Sequence, residues 1–163
     1  MAYSTKKTKT LVSVVASMIL AVIYLIYVTG NKAPGINDLK SWAVAILIFI
    51  GIGVVLQIVI QIILQIVYSV STAVRETGID DKEIERIVSS EMYDDEMDKL
   101  INLKSAHIGY ILVGVGFIAA LIVIATGCPV IYALHILFGS YLASSVAEGL
   151  VAAYLYERGV HNG

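Results

Sequence analysis

Between Lys40 and Arg75 the chain carries no acidic, basic or histidine side chain. A hydrocarbon core about 30 Å thick is crossed by about 20 helical residues at 1.5 Å each, so this run exceeds what one crossing needs. Such a stretch belongs inside a large protein core or inside a bilayer. The whole chain has 163 residues and is 58% hydrophobic, with only 15% charged. Its mean hydropathy is +0.85. Soluble domains are roughly 45–50% apolar, so the bilayer is the expected setting. Backbone amides in lipid must be satisfied within the structure, and continuous rather than alternating apolar runs point to helices.

Three further long apolar runs follow, at 11–28, about 106–125, and from 130 to 157, the last interrupted by the carboxyl group of Glu148. Lys6, Lys7 and Lys9 before the first run imitate a secretory leader. That run is long for a leader and lacks a small-x-small end, so it is read as a retained anchor. Thr29-Gly30 closes it, with Pro34 and Gly35 in the turn that follows. Thr126-Gly127 and Pro129 mark a second, much shorter turn. The expected architecture is a single all-α transmembrane domain over 1–163. Its four helices, about 11–29, 41–77, 95–126 and 130–157, form two tandem in-out-in hairpins. A cytoplasmic helical linker, 78–104, joins the hairpins.

Lys and Arg set the orientation. With the N-terminus inside, Lys6, Lys7, Lys9, Arg75, Lys82, Arg86, Lys99, Lys104 and Arg158 are cytoplasmic, and only Lys32 and Lys40 are outside. Both termini and the linker are therefore expected on the cytoplasmic side of the cell membrane. The matching Thr-Gly ends of the two hairpins also raise an internal duplication, with an axis along the membrane normal.

Polar residues inside apolar helices are the candidate functional groups. Gln57, Gln61 and Gln65 are four residues apart and form one stripe on the second helix. On the fourth helix Ser140, Ser144 and Glu148 form one row, and Gly139, Ala143 and Ala147 form a second row of small residues. The small row permits a close helix approach, and Gly109, Gly116 and Ala120 give the third helix a matching surface. A carboxyl group at membrane depth requires a partner. Counting the rise per residue places Glu148 near the depth of Gln61. Glu148 is therefore expected, as a neutral acid, to donate a hydrogen bond to Gln61 or Gln65. The stripe reads as interhelical bonding, with a hydrated path as the alternative.

The linker carries its own signals. Asp80 with Glu83 has capping-box spacing, and Ile84, Ile87, Val88 and Met92 lie on one face that suits a partner or the membrane surface. Asp94, Asp95, Glu96 and Asp98 read as the acidic start of a helix that continues through Lys104. The other reading of these acids is a divalent-cation site. Trp42 and several tyrosines near helix ends, Tyr24 and Tyr27 among them, read as an interfacial belt. His107 and His135 are expected at opposite membrane faces and His161 in solvent, so they cannot share a metal. Cys128 stands alone. No phosphate loop, nucleophile elbow or metal-ligand motif occurs, so neither an enzyme nor a cofactor is expected. A net charge of −2 gives no nucleic-acid footprint.

The segment Asp95-Glu96-Met97-Asp98-Lys99-Leu100-Ile101-Asn102-Leu103-Lys104-Ser105 resembles the D-E-R-D-x-x-I-x-x-K-[AS] signature of a family of small four-helix prokaryotic membrane proteins of unknown function. Gln61 to Val67, Ala147-Glu148 and Tyr156-Glu157-Arg158-Gly159 are similar to its other motifs. Gln65 stands where a histidine is common, and Met97 and Glu157 replace arginines. The resemblance implies the four-helix topology and, because such proteins often accompany small helix-turn-helix regulators, a sensing or regulatory role. The functional expectation is a non-enzymatic, homo-oligomeric membrane scaffold or regulator with a cytoplasmic protein partner. A small transporter or channel lined by the glutamine stripe and Glu148 is the alternative.

Overall fold

The structure is a computed structural model that describes residues 2–75 and 96–158. These residues form four helices: α1 (Ala2–Thr29), α2 (Leu39–Arg75), α3 (Glu96–Ala125) and α4 (Val130–Arg158). Each is long and apolar enough to cross a membrane. The positions expected to cap or face a partner within the linker (Asp80, Glu83, Ile84, Ile87, Val88, Met92, Asp94, Asp95) lie outside the described residues. α1 begins well before the apolar run, at Ala2, because the Lys/Thr segment has no helix breaker and its charged side chains are compatible with a helix leaving lipid.

The turns differ more than their matching sequences imply. At the α3 end Gly127 adopts φ 77°, the left-handed conformation that favours glycine. Its N–H donates to the Ile124 carbonyl (3.1 Å), and the Cys128 N–H donates to the Val123 carbonyl (3.3 Å). Those two bonds are a Schellman closure, and Pro129 then starts α4 at once. The α1–α2 turn is wider. Asp38 Oδ1 accepts from the Ser41 N–H (3.1 Å), which makes Asp38 the N-cap of α2. The Ser41 hydroxyl, and after it this N–H, hold the Asp38 carboxyl below its ordinary value.

The pairings Tyr27–Trp42, Tyr24–Phe49, Tyr24–Phe138 and Gly116–Ser140 set the helix directions. Both hairpins are antiparallel and point the same way. Both turns lie at one end, and Ala2 and Arg158 lie at the other. The helices follow the spatial order α2, α1, α4, α3. α4 has the most extensive contacts, with α3 on one side and α1 on the other, and α2 rests mainly on α1.

The packing changes character along the bundle. Near the turns Leu20, Tyr24, Phe49, Phe138 and Leu142 form the apolar core. The Tyr24 ring lies edge-on to Phe138 (4.6 Å between centroids) and to Phe49 (5.1 Å). Tyr24 and Trp42 are each only 4% exposed, so the expectation of an interfacial belt fails for both. Helix-end position alone does not reveal that three helices converge there. Tyr110, Tyr132 and Tyr154, by contrast, are exposed, as a belt requires. Toward the termini small residues replace the aromatics. One stripe of α3, comprising Asp98, Ile101, Ser105, Gly109, Gly116 and Ala120, is buried.

Protonating Asp38 removes the charge that strengthens its cap. Its folded-state value is depressed, so its contribution is present above the unfolded carboxylate range and is lost as pH falls through the folded value. Thermal unfolding of Asp38→Asn in detergent is expected to retain most of the wild-type stability but lose this acid-side dependence. Asp38→Ala is expected to lose both.

Candidate functional site

Three polar layers can be followed from the turn end to the terminal end. In the first, Tyr24 Oη and His135 Nδ1 share a hydrogen bond of 2.7 Å. His135 also meets Trp42 at right angles, 4.5 Å between centroids. The Trp42 Nε1–H donates to the Gly35 carbonyl, 3.2 Å. His135 is thus held by α1 and α2 rather than being a loose interfacial side chain.

The middle layer contains the glutamines and serines. Gln57 Nε2 donates to Ser17 Oγ (3.3 Å), and Ser17 Oγ shares a hydrogen bond with Ser145 Oγ (3.2 Å). This chain crosses α2, α1 and α4. A pocket of about 50 Å³ lies beside it, lined by residues that include Ser17, Gln57, Tyr141 and Ser145. That volume is room for a few waters.

On the other side of α4 the serine-carboxyl row faces α3. A Cβ on Gly116 would overlap Ser140 Cβ. A Cβ on Gly109 would lie 2.9 Å from Ser144 Oγ and 3.1 Å from Glu148 Oε2. Ser144 Oγ donates to the Gly109 carbonyl (3.0 Å), and Ser140 Oγ donates to its own helix at Leu137 (2.9 Å). The close α3–α4 contact agrees with the glycine spacing, but the sequence pattern pointed to the wrong row of α4. Ser140, Ser144 and Glu148 meet the glycines. In the Gly139/Ala143/Ala147 row, Gly139 has nothing within 4 Å of a Cβ, and Ala143 is exposed. A serine is nearly as small as alanine, and its hydroxyl can bond to a carbonyl in either helix.

The level predicted for Glu148 agrees with the structure, but its predicted partner does not. Ser17 bridges Gln57 and Ser145, which places those residues at one level. Four residues further along two parallel helices, Gln61 and Gly149 are level too, with Glu148 alongside. Yet Glu148 leans into the notch at Gly109, while Gln61 and Gln65 are exposed. No hydrogen bond joins Glu148 to either glutamine among the described residues. The reason is that α2 touches α4 only sparsely.

The layer nearest the termini is ionic. Asp98, fully buried, pairs with Lys6 of α1. Lys7 Nζ lies 2.9 Å from Glu157 Oε2 of α4. Of the linker acids only Glu96 and Asp98 are described: Glu96 is exposed while Asp98 turns inward, and Lys104 is exposed. Among the described residues no group of three metal-ligating side chains exists. Comparison with protein-family models, with curated proteins and with solved structures returns no match.

Sequence reasoning missed Ser17, Ser145 and both ion pairs. The ionic layer had a usable signal. Lys6 and Asp98 were both expected on one side, at the ends of helices running in the same direction, so opposite charges there were available to pair.

Two outcomes are expected in thermal or denaturant unfolding. Gly116→Ala should destabilise the bundle by about 1–3 kcal/mol through overpacking. Gly114→Ala, where a Cβ meets nothing within 4 Å, should be close to neutral. Asp98→Ala removes the buried carboxylate that ties α3 to Lys6 of α1 and should cost on the order of 3 kcal/mol.

Proposed function

We propose that this chain is a non-enzymatic, multi-pass protein of the cell membrane that acts as an oligomeric scaffold or regulator, with both termini and a partner-binding linker in the cytoplasm. One observation carries this reading: Gln57 and the serines inside the bundle are hydrogen-bonded, and among the described residues the pocket beside them is small. Ser144 donates to Gly109, Ser140 to Leu137 and Gln57 to Ser17. The pocket beside Ser17 has only about 50 Å³. The Ser144 and Gln57 bonds cross between helices and join them, while Ser140 satisfies its hydroxyl within α4.

The ionic layer supports a regulatory rather than a purely structural role. Asp98 stands in the first turn of α3, where the chain enters from residues 76–95, and it is tied to α1. Glu157, near the end of α4, is tied to α1 as well. A partner acting on the linker therefore pulls on an element joined to two other helices. The charge distribution supports the cytoplasmic placement, since Lys6, Lys7, Lys99, Lys104 and Arg158 all lie toward the terminal end. The linker's resemblance to the D-E-R-D-x-x-I-x-x-K signature supports a sensing or regulatory role too.

Liposomes containing the full chain are expected to pass protons, sodium, potassium and small organic cations no faster than empty vesicles, with Glu148→Gln unchanged. Flux above the empty-vesicle rate that Glu148→Gln abolishes would replace this reading with a transporter or channel. Asp94→Lys combined with Asp95→Lys should leave membrane insertion intact and weaken capture of a cytoplasmic partner.

A further inference from the structure

The terminal half of α2 has little protein around it. Beyond Phe49 no described α2 side chain is buried, and beyond Gln57 only Ile60 and Leu64 are even half-covered. Lipid satisfies exposed isoleucines and valines. It does not satisfy Gln61, which is exposed within the apolar span Leu39–Val67, about 9 Å from its end. The amide has two N–H donors and a carbonyl acceptor, and an acyl chain offers a partner to none of them.

A second polar group lies on the same side. Tyr141 of α4 is 52% exposed near the middle of its span, and its hydroxyl has no hydrogen-bond partner among the described residues. It borders a furrow of about 330 Å³ between α2 and α4, whose other walls are Ile46, Ile50, Leu134, Leu137 and Phe138. Ile50 and Gln61 are eleven residues apart, three helical turns, so they share one face of α2. A furrow with a polar margin at this depth calls for a protein occupant with hydrogen-bonding groups of its own.

We propose that this occupant is the α2 helix of a second copy, packed parallel to the first and centred on Gln61. Every copy inserts with the same orientation, so a closed two-fold contact within one membrane has its axis along the membrane normal. About that axis each residue meets its own counterpart at the same depth. Gln61 then faces Gln61 of the second copy, and the carboxamide is one of the few side chains that complements itself, each donating an N–H to the other's carbonyl. Gln57 is already bonded to Ser17, which leaves Gln61 as the residue that sets the register. The second helix also brings side chains over the furrow beside Ile46, Ile50 and Tyr141. This inference rests on the oligomeric part of the reading above and supplies the contact it lacks.

The test uses full-length protein in lipid nanodiscs and vesicles, with Cys128→Ser to remove the exposed native thiol. Gln61→Cys is expected to form a disulfide between copies under mild oxidation. Val59→Cys, on nearly the opposite face of α2, is expected to stay reduced. With the native thiol in place, Gln61→Leu should weaken self-association by roughly 3- to 30-fold, read as the shift in dimer fraction on dilution into lipid, and Gln61→Asn should retain most of it. Gln61 is exposed, so neither change should alter the fold. A dimer that forms without a disulfide at position 61, or with equal disulfide at positions 59 and 61, overturns this contact while leaving the oligomeric reading intact. A monomer at all lipid dilutions, with or without a retained lipid, overturns both.

Discussion

Everything else in the bundle depends on how closely α3 can approach α4. Between helices in lipid there is no hydrophobic driving force, because an acyl chain is as apolar as a leucine. Association has to come from close packing and from hydrogen bonds formed at short range. Gly109 and Gly116 provide the approach, and Ser144 uses it by donating to the Gly109 carbonyl itself. Gly149 plays the corresponding part on the other side, where a Cβ would overlap Val14 of α1. α4 is therefore held between two partners by contacts that tolerate almost no added volume.

The interior is graded. Aromatic rings fill the turn end, serines and glycines the middle, and ion pairs the terminal end. Each filling suits the helix separation at its level. Tyr24, Phe49 and Phe138 need space between helices and keep α1, α2 and α4 apart there. Ser17 and Ser145 need the helices close. Lys6 bridges to Asp98 on a long flexible stem, which accommodates whatever separation the levels above have set.

Much of this was legible in the sequence, and the failures share one cause. The number of helices, their turns and the glycine face of α3 follow from run length, Gly-Pro punctuation and period. The common level of Gln61 and Glu148 follows from counting rise. Direction around a helix axis was legible only where a pattern was strong, and α4 carries two adjacent rows that are both small enough to pack. Choosing between them needs the neighbour's carbonyls, which no periodicity contains. Tyr24 and Trp42 fail for a related reason: an aromatic near a helix end faces lipid or core according to where the third helix lies. The partner expected for Glu148 fails because α2 is anchored near its turn and not along its length.

That anchorage has a mechanical consequence. α2 is clamped at Trp42, Ala45 and Phe49, and Gln57 ties it to α1 beyond them. From there to Arg75 the helix continues for roughly 27 Å at 1.5 Å per residue. The held part, Leu39 to Gln57, is equally long. A tilt of about 10° at Gln57 carries the Arg75 end sideways by roughly 5 Å over that length. The α3–α4 pair, locked by glycines and by a two-bond turn, has no comparable freedom. The chain thus joins a stiff frame to a long arm, and the linker hangs from the tip of one and the base of the other.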